Sequence, residues 1–280
     1  MANNWCFCTL AVGKRYREHA KNLVEDIQKF ASNIPVLILT DKPEEFAEYP
    51  VAQAINHRLQ SVKGYHDKRF VIAAALRNFK TCLFLDSDVR IIGPVPENLS
   101  YHPGITARTG CSILKHNARN GQGEMIPLLR HVSEKLDIDL GKTKWFHEFM
   151  FAVTKQDGAE LKFLSLWQTL AYFFEMQGFY GGEGNIMGLA ASKVGLDVSF
   201  NSEDPFPFFK DNIERVRIKN NQSNIEEKSI FFEVHRSIEF PKYPIWQKLL
   251  NRLIKWAMFS YRTVKLRFLA RKDAELPRLF

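Results

Sequence analysis

An α/β fold with a mostly parallel central sheet flanked by helices is predicted, and three observations predict it. Short apolar runs without polar alternation recur at 5–12, 35–40 and 82–85, as in strands buried on both faces of a parallel sheet. Segments with helical spacing lie between them. The last of the runs delivers two acidic residues to its carboxyl end, the edge at which open α/β sheets bind ligands.

Trp5 to Val12 ends in Gly13 and is too short to bury itself as a helix, so it reads as the first strand. From Tyr16 to Phe30, Ala20, Leu23, Val24, Ile27 and Phe30 recur at helical spacing, and Pro35 to Thr40 forms the second strand of a β-α-β unit. Asp67 to Phe79 reads as a helix, and Cys82 to Leu85 as the strand that carries Asp86, Ser87 and Asp88. Beyond Pro96 the pattern predicts strands at Ile105–Thr109 and Phe146–Val153 and helices at Ile126–Leu136 and Ala159–Gln177. The glycines of Gly181-Gly182-Glu183-Gly184 break the chain before 186–194, whose small residues point to close packing. From Pro244, Trp246, Leu249, Leu250, Leu253, Ala257, Tyr261, Val264 and Phe268 define an amphipathic helix, broken at most once. The chain divides into residues 1–240, a single α/β domain, and 241–280, a basic helical tail.

The net charge of +8 belongs to that tail. Nine basic residues and no acid lie between Lys242 and Lys272; the rest of the chain carries thirty Lys and Arg against thirty-one Asp and Glu. A near-neutral body argues against a nucleic-acid-binding module. The helix at 244–272 fits either an anionic membrane surface or a place against the domain. Cys6, Cys8, Cys82 and Cys111 sit in or near apolar runs, as buried thiols of a reducing compartment do. The first residues lack a basic region ahead of an apolar segment, and no apolar run approaches about 18 residues. Cytoplasmic residence, peripheral at the membrane if the tail binds lipid, is the expectation.

Asp86 and Asp88, two apart at a strand end, offer hard oxygen ligands for Mn²⁺ or Mg²⁺. An ion fixed there stabilises a diphosphate leaving group without solvent reorganisation. The same spacing also fits a turn in which one Asp caps the backbone. It fits the nucleophile and acid pair of haloacid-dehalogenase-type phosphatases as well, with Asp86 phosphorylated. In those enzymes the pair lies near the chain start and runs into Gly-Thr, whereas Val89-Arg90 follow here. Lys68 and Arg69 open the helix leading into that strand, where cations bind phosphate or simply face solvent. Glu183 lies in a loop that permits close ligand approach. On a continuous strand His147 and Glu148 point to opposite faces, so one of them reaches the cleft. His235 is a late nitrogen ligand for the metal or a structural histidine. No phosphate-binding Walker loop and no dinucleotide glycine fingerprint is present.

Over roughly residues 5 to 205 the chain resembles the A-type-fold glycosyltransferases, and most the retaining family of blood-group α-galactosyl and N-acetylgalactosaminyl transferases. Leu10-Ala11-Val12-Gly13-Lys14-Arg15-Tyr16 is similar to that family's uridine-contacting first strand, Thr40-Asp41 to the end of its second, and His66-Asp67-Lys68-Arg69 to a donor-contacting helix start. Asp86-Ser87-Asp88 matches its metal-binding Asp-x-Asp. Trp145 to Phe151 resembles the strand with an acceptor-contacting His, and Tyr180-Gly181-Gly182-Glu183 the segment whose Glu lies beside the anomeric carbon.

The resemblance implies a metal-dependent hexosyltransferase, retaining, that moves sugar from a UDP-sugar to a hydroxyl of a glycan or lipid-linked acceptor. It implies Glu183 as catalytic residue and Ala11, Val12, Tyr16, Lys68, Arg69, Asp86 and Ser87 as donor contacts. His147 and Tyr180 would contact acceptor and Asp86 and Asp88 the metal; His235, outside the resembling stretch, is the further metal-ligand candidate read from its own position. The alternatives are the phosphatase and a basic binding module in which the aspartates are structural.

Overall fold

The computed structural model describes residues 4–119, 121 and 123–280. Its first half runs β1 (Trp5–Ala11), α1 (Lys14–Phe30), β2 (Val36–Thr40), β3 (Ala52–Asn56), α2 (Lys68–Asn78), β4 (Thr81–Leu85), β5 (Arg90–Ile91), β6 (Gly104–Ala107), β7 (Gly110–Ser112), α3 (Ile113–Arg119) and α4 (Ile126–Leu136). The second runs β8 (Lys144–Phe146), β9 (Met150–Thr154), α5 (Ala159–Met176), α6 (Glu183–Val194), β10 (Val198–Phe200), β11 (Phe208–Phe209), α7 (Asp211–Lys219), α8 (Ile225–Glu239) and α9 (Ile245–Ala270).

A seven-stranded sheet orders these strands β10-β6-β9-β4-β1-β2-β3. Only β9 opposes its neighbours, pairing antiparallel with β4 and β6, so the sheet is mostly parallel as the apolar runs predict. Within β1, strand alternation divides the run between two cores. Cys6 and Cys8 face the layer of α2, α5 and α6, while Trp5, Phe7 and Ala11 face α1. In α1 the helical spacing puts Leu23, Val24 and Ile27 on the sheet, all fully buried, each stabilising by roughly 1.5–3 kcal/mol. All four cysteines are unpaired, and Cys6, Cys8 and Cys82 are buried.

Two expectations change and a third is narrowed. The strand expected at 146–153 is two: the chain leaves β8 at Phe146, turns through His147 to Phe149 and re-enters as β9, so alternation does not govern His147 and Glu148. The C-terminal helix is unbroken over 26 residues. The tail at 241–280 is not wholly separate, because Leu266, Ala270, Leu276 and Leu279 are buried in the core cluster of α2, α5 and α6. Among the described residues no helix is long and apolar enough to cross a membrane.

Candidate active site

At the carboxyl ends of β1 and β4 lies a cleft of about 330 Å³. Arg15, Lys63, Lys68 and Lys210 line it together with Asp86, Asp88, Glu183 and Glu239. Two broader grooves run along α7–α8 and α8–α9, but they lack this convergence of buried charges.

β4 hands the chain to the site. The Asp86 amide donates to the Phe149 carbonyl (2.8 Å), and the Val89 amide donates to the Asp86 carbonyl (3.0 Å), closing a turn that aims both aspartates into the cleft. They converge on one cation: the Lys210 ammonium lies 3.1 Å from Asp86 Oδ2 and also bonds Asp88 Oδ1. Lys210 follows β11, whose last residue, Phe209, is fully buried and holds the backbone there.

A second ammonium ties Asp86 to Glu183. Lys68 Nζ, at the first turn of α2, lies 3.0 Å from Asp86 Oδ1, 2.9 Å from Glu183 Oε1 and 3.1 Å from the Glu148 carbonyl oxygen. An ammonium has three donors, and these acceptors use all of them. Burial disfavours the charged form of Asp86, yet Lys68 and then Lys210 outweigh it and hold the carboxyl at about 2. Glu183 is also lowered, by Lys68 and His66 against its own burial, so both acids are anions at neutral pH.

Glu183 is the first residue of α6, after Gly182 in the left-handed region (φ 75°). A Cβ at Gly184 would come within 2.4 Å of the Phe146 carbonyl oxygen, and one at Gly188 within 2.1 Å of that of Lys144. These two glycines, one turn apart, let α6 press onto β8, which is the close packing read from the sequence. The Gly184 amide donates to Glu148 Oε1 (2.9 Å). Burial, then the nearby Glu183 charge, raise Glu148 to about 7.

The wall formed by Leu59, Lys63, Gly64 and Tyr65 is held by two buried acids. Asp67 accepts from the Gln60 and Ser61 amides (2.7 and 2.8 Å) and bonds His57 Nε2 (2.7 Å). Glu175 on α5 accepts from the Val62 amide (3.0 Å). Burial raises Glu175 to about 8. The folded chain therefore binds a proton there that the unfolded chain has released above about pH 4.5, so stability falls as pH rises from there through 8. Glu175→Gln, which keeps the carbonyl acceptor, is expected to raise the melting temperature at pH 8.5 and leave it nearly unchanged at pH 4.5. Equal shifts at both pH values would show that the side chain titrates normally.

Of the residues singled out in the sequence, Val12, Tyr16, Lys68, Asp86, Ser87, Asp88, Glu183 and His235 all line this cleft. Four do not. Ala11 is fully buried against α1, because strand parity turns it away from the cleft that Leu10 and Val12 line. Arg69, one helical step past Lys68, points into the α2–α5 core: its Nη1 donates to the His66 carbonyl (2.7 Å) and its guanidinium stacks 4.1 Å from the Phe70 ring. Tyr180 packs edge-on against Phe259 of α9, 5.2 Å between centroids. His147 sits in the turn before β9, edge-on to Phe149 at 4.8 Å. Burial pushes His147 down to about 4, so it is neutral.

His235 stands across the cleft from the aspartates, its ring 5.1 Å from that of His19. Among the described residues no three His, Cys, Asp or Glu gather as a metal cluster, so His235 does not join Asp86 and Asp88 in the arrangement seen. Sequence reasoning missed Lys210, 124 positions from Asp86. The apolar stretch Phe206-Pro207-Phe208-Phe209 before it is the only sequence signal that it is held in place. It also missed Arg15 and His19, which bond Glu239 at 2.9 and 3.0 Å across one rim.

Fold and site together define an α/β protein with paired carboxylates and buried ammoniums at the ligand-binding edge of its sheet. No protein-family model matches the chain, and no curated protein matches its sequence. Among solved structures, the apo structure of WbbM, a bifunctional glycosyltransferase, is similar at 10% identity and a TM-score of 0.45, over 72% of this chain. The match covers 39% of the WbbM chain, so most of that protein has no counterpart here.

Proposed function

We propose that this chain is a glycosyltransferase that moves a hexosyl group from a nucleotide-diphosphate sugar, a UDP-sugar in the first instance, to a hydroxyl of a glycan or lipid-linked acceptor. The observation that carries the reading is the convergence of Asp86 and Asp88 on a single cation, with Glu183 joined to the same Asp86 through Lys68. Diphosphate departure needs positive charge, and the anomeric carbon that becomes oxocarbenium-like needs negative charge close by. This cleft carries both. Lys210, with the field of Lys68 behind it, supplies fixed positive charge for the phosphate oxygens, and Glu183 is an anion positioned to stabilise or capture the sugar centre. Tyr16 and Val12 offer a rim for the base.

Mn²⁺ or Mg²⁺ fits the site. Such ions are held by one or two carboxylates together with substrate phosphates, and an ammonium already occupies the point where these two carboxylates meet. Asp86 and Asp88 would hold the ion, and it would neutralise charge on the departing diphosphate. A phosphatase reading needs Asp86 as a free nucleophile, but Lys68 and Lys210 engage both of its oxygens.

Thermal shift tests the proposal. A ligand at a hundred times its dissociation constant stabilises by about 2.7 kcal/mol, a rise of roughly 5–10 °C for a chain of this size. UDP with Mn²⁺ is expected to give such a rise in the native protein and little in Asp88→Asn. Indifference to UDP, GDP and CMP with Mn²⁺, or a response to beryllofluoride instead, would overturn the assignment.

A further inference from the structure

α9 carries its apolar stripe on the wrong side for an ordinary core helix. Trp246, Leu249, Leu250, Leu253, Val264 and Phe268 fall within about 100° of arc on a helical wheel. All are exposed, Trp246 and Leu253 at 65% and Phe268 at 60%. Leu266 and Ala270, the two α9 residues buried in the body, lie on the far side of the wheel. The helix is docked by its poorer face and shows its richer one outward.

That docking is specific. Arg262 donates to the Val62 carbonyl (3.2 Å) and Lys265 to the Leu59 carbonyl (3.3 Å), both on the segment that forms a wall of the cleft. At its other end, Lys248 and Lys255 border a groove shared with Arg15 and Tyr16, which also line the cleft. The outward stripe is thus fixed relative to the cleft by contacts along the C-terminal half of the helix.

We infer that α9 lies on an anionic lipid bilayer, its stripe of Trp246, Leu253 and Phe268 entering the headgroup boundary. Charge decides the occupant. The helix contains six basic and no acidic residues over 26 positions, complementary to an anionic surface. A second copy of the same helix would bring no acidic residue for those cations to pair with. Its length of about 39 Å suits a helix lying in the interface. It does not meet the requirement for spanning, since no described helix is apolar enough to cross. Two tryptophans, Trp246 and Trp256 (70% exposed), are of the type that settles at the lipid–water boundary. The inference stands on α9 alone and does not use the reading of the cleft.

Sedimentation of the full chain with vesicles tests it. With equimolar phosphatidylglycerol and phosphatidylcholine the bound fraction is expected to exceed that with phosphatidylcholine alone at least tenfold, and to fall on raising salt. Trp246→Glu with Leu253→Glu replaces only exposed side chains, so the melting temperature is expected to hold while vesicle binding drops at least tenfold. Lys248→Glu with Arg252→Glu and Lys255→Glu is expected to abolish the preference for anionic lipid. Equal recovery in both supernatants overturns the inference, as does binding that ignores the two glutamates. So does a dimer in sizing chromatography that the Trp246→Glu, Leu253→Glu protein turns into monomer, which would give the stripe to a second copy. UDP binding is read separately by thermal shift, so failure here leaves the glycosyltransferase proposal standing.

Discussion

Lys68→Met is expected to destabilise the protein by about 3–5 kcal/mol at pH 7, the usual cost of removing one partner from a buried ion pair. The melting temperature should fall by roughly 10 °C, and UDP should no longer raise it appreciably. Methionine matches the length of the lysine stem but leaves Asp86 Oδ1, Glu183 Oε1 and the Glu148 carbonyl without their shared donor. The pH dependence separates this from simple loss of packing. In the native protein Asp86 titrates at about 2, below its ordinary 3.8, so its contribution is complete above about pH 4 and is lost as pH falls through 2. In the variant Glu183 loses its contacting ammonium and burial raises it above its ordinary value, while Lys210 still holds Asp86. Acidification from pH 7 to 5 should then restore part of the lost stability, whereas the native protein gains nothing from Asp86 over that range. A variant that melts with the native protein and still binds UDP would mean that the triple contact of Lys68 contributes neither to folding nor to the ligand.

Glu183→Gln is expected to lower turnover about 10²–10³-fold, the scale on which removal of one preorganised electrostatic group acts, while UDP affinity changes little. The amide oxygen still accepts from Lys68, so the cleft keeps its shape. What disappears is the negative charge proposed to face the sugar. Donor hydrolysis in the presence of manganese is the simplest measurement, and a parallel thermal shift with UDP shows that the donor site survives. The substitution also removes a charge that raises Glu148, which should therefore titrate lower than its present value of about 7. Turnover within tenfold of the native protein would place the anomeric carbon elsewhere.

The sheet centre could be read from the sequence because β1, β2 and β4 are buried on both faces and so appear as unbroken apolar runs. β3 could not: Ala-Gln-Ala-Ile-Asn is an edge strand, half exposed, and its composition has no strand signature. Nor could the break between β8 and β9, since Phe146 to Val153 is apolar throughout except at His147 and Glu148, and tertiary packing decides where such a run turns. The pattern Asp86-Ser87-Asp88 announced itself because both carboxylates come from one strand end. Lys210 and Glu148 reach the same neighbourhood through the fold alone. Ala11 and Arg69 show the complementary error: each is adjacent in sequence to a cleft residue, but one step along a strand reverses the face and one step along a helix rotates it by about 100°.

Because Lys210 holds the two aspartates in the free protein, the acidic pair is never bare. If the proposed metal and diphosphate bind here, the ion would exchange with an ammonium, and the exchange would free a positive group within reach of phosphate oxygens. A hard cation without a phosphate partner would gain little from displacing Lys210, whereas one already bound to diphosphate would gain at both ends. On that proposal the lysine would act as a gatekeeper that favours the cargo-laden cation over the naked one.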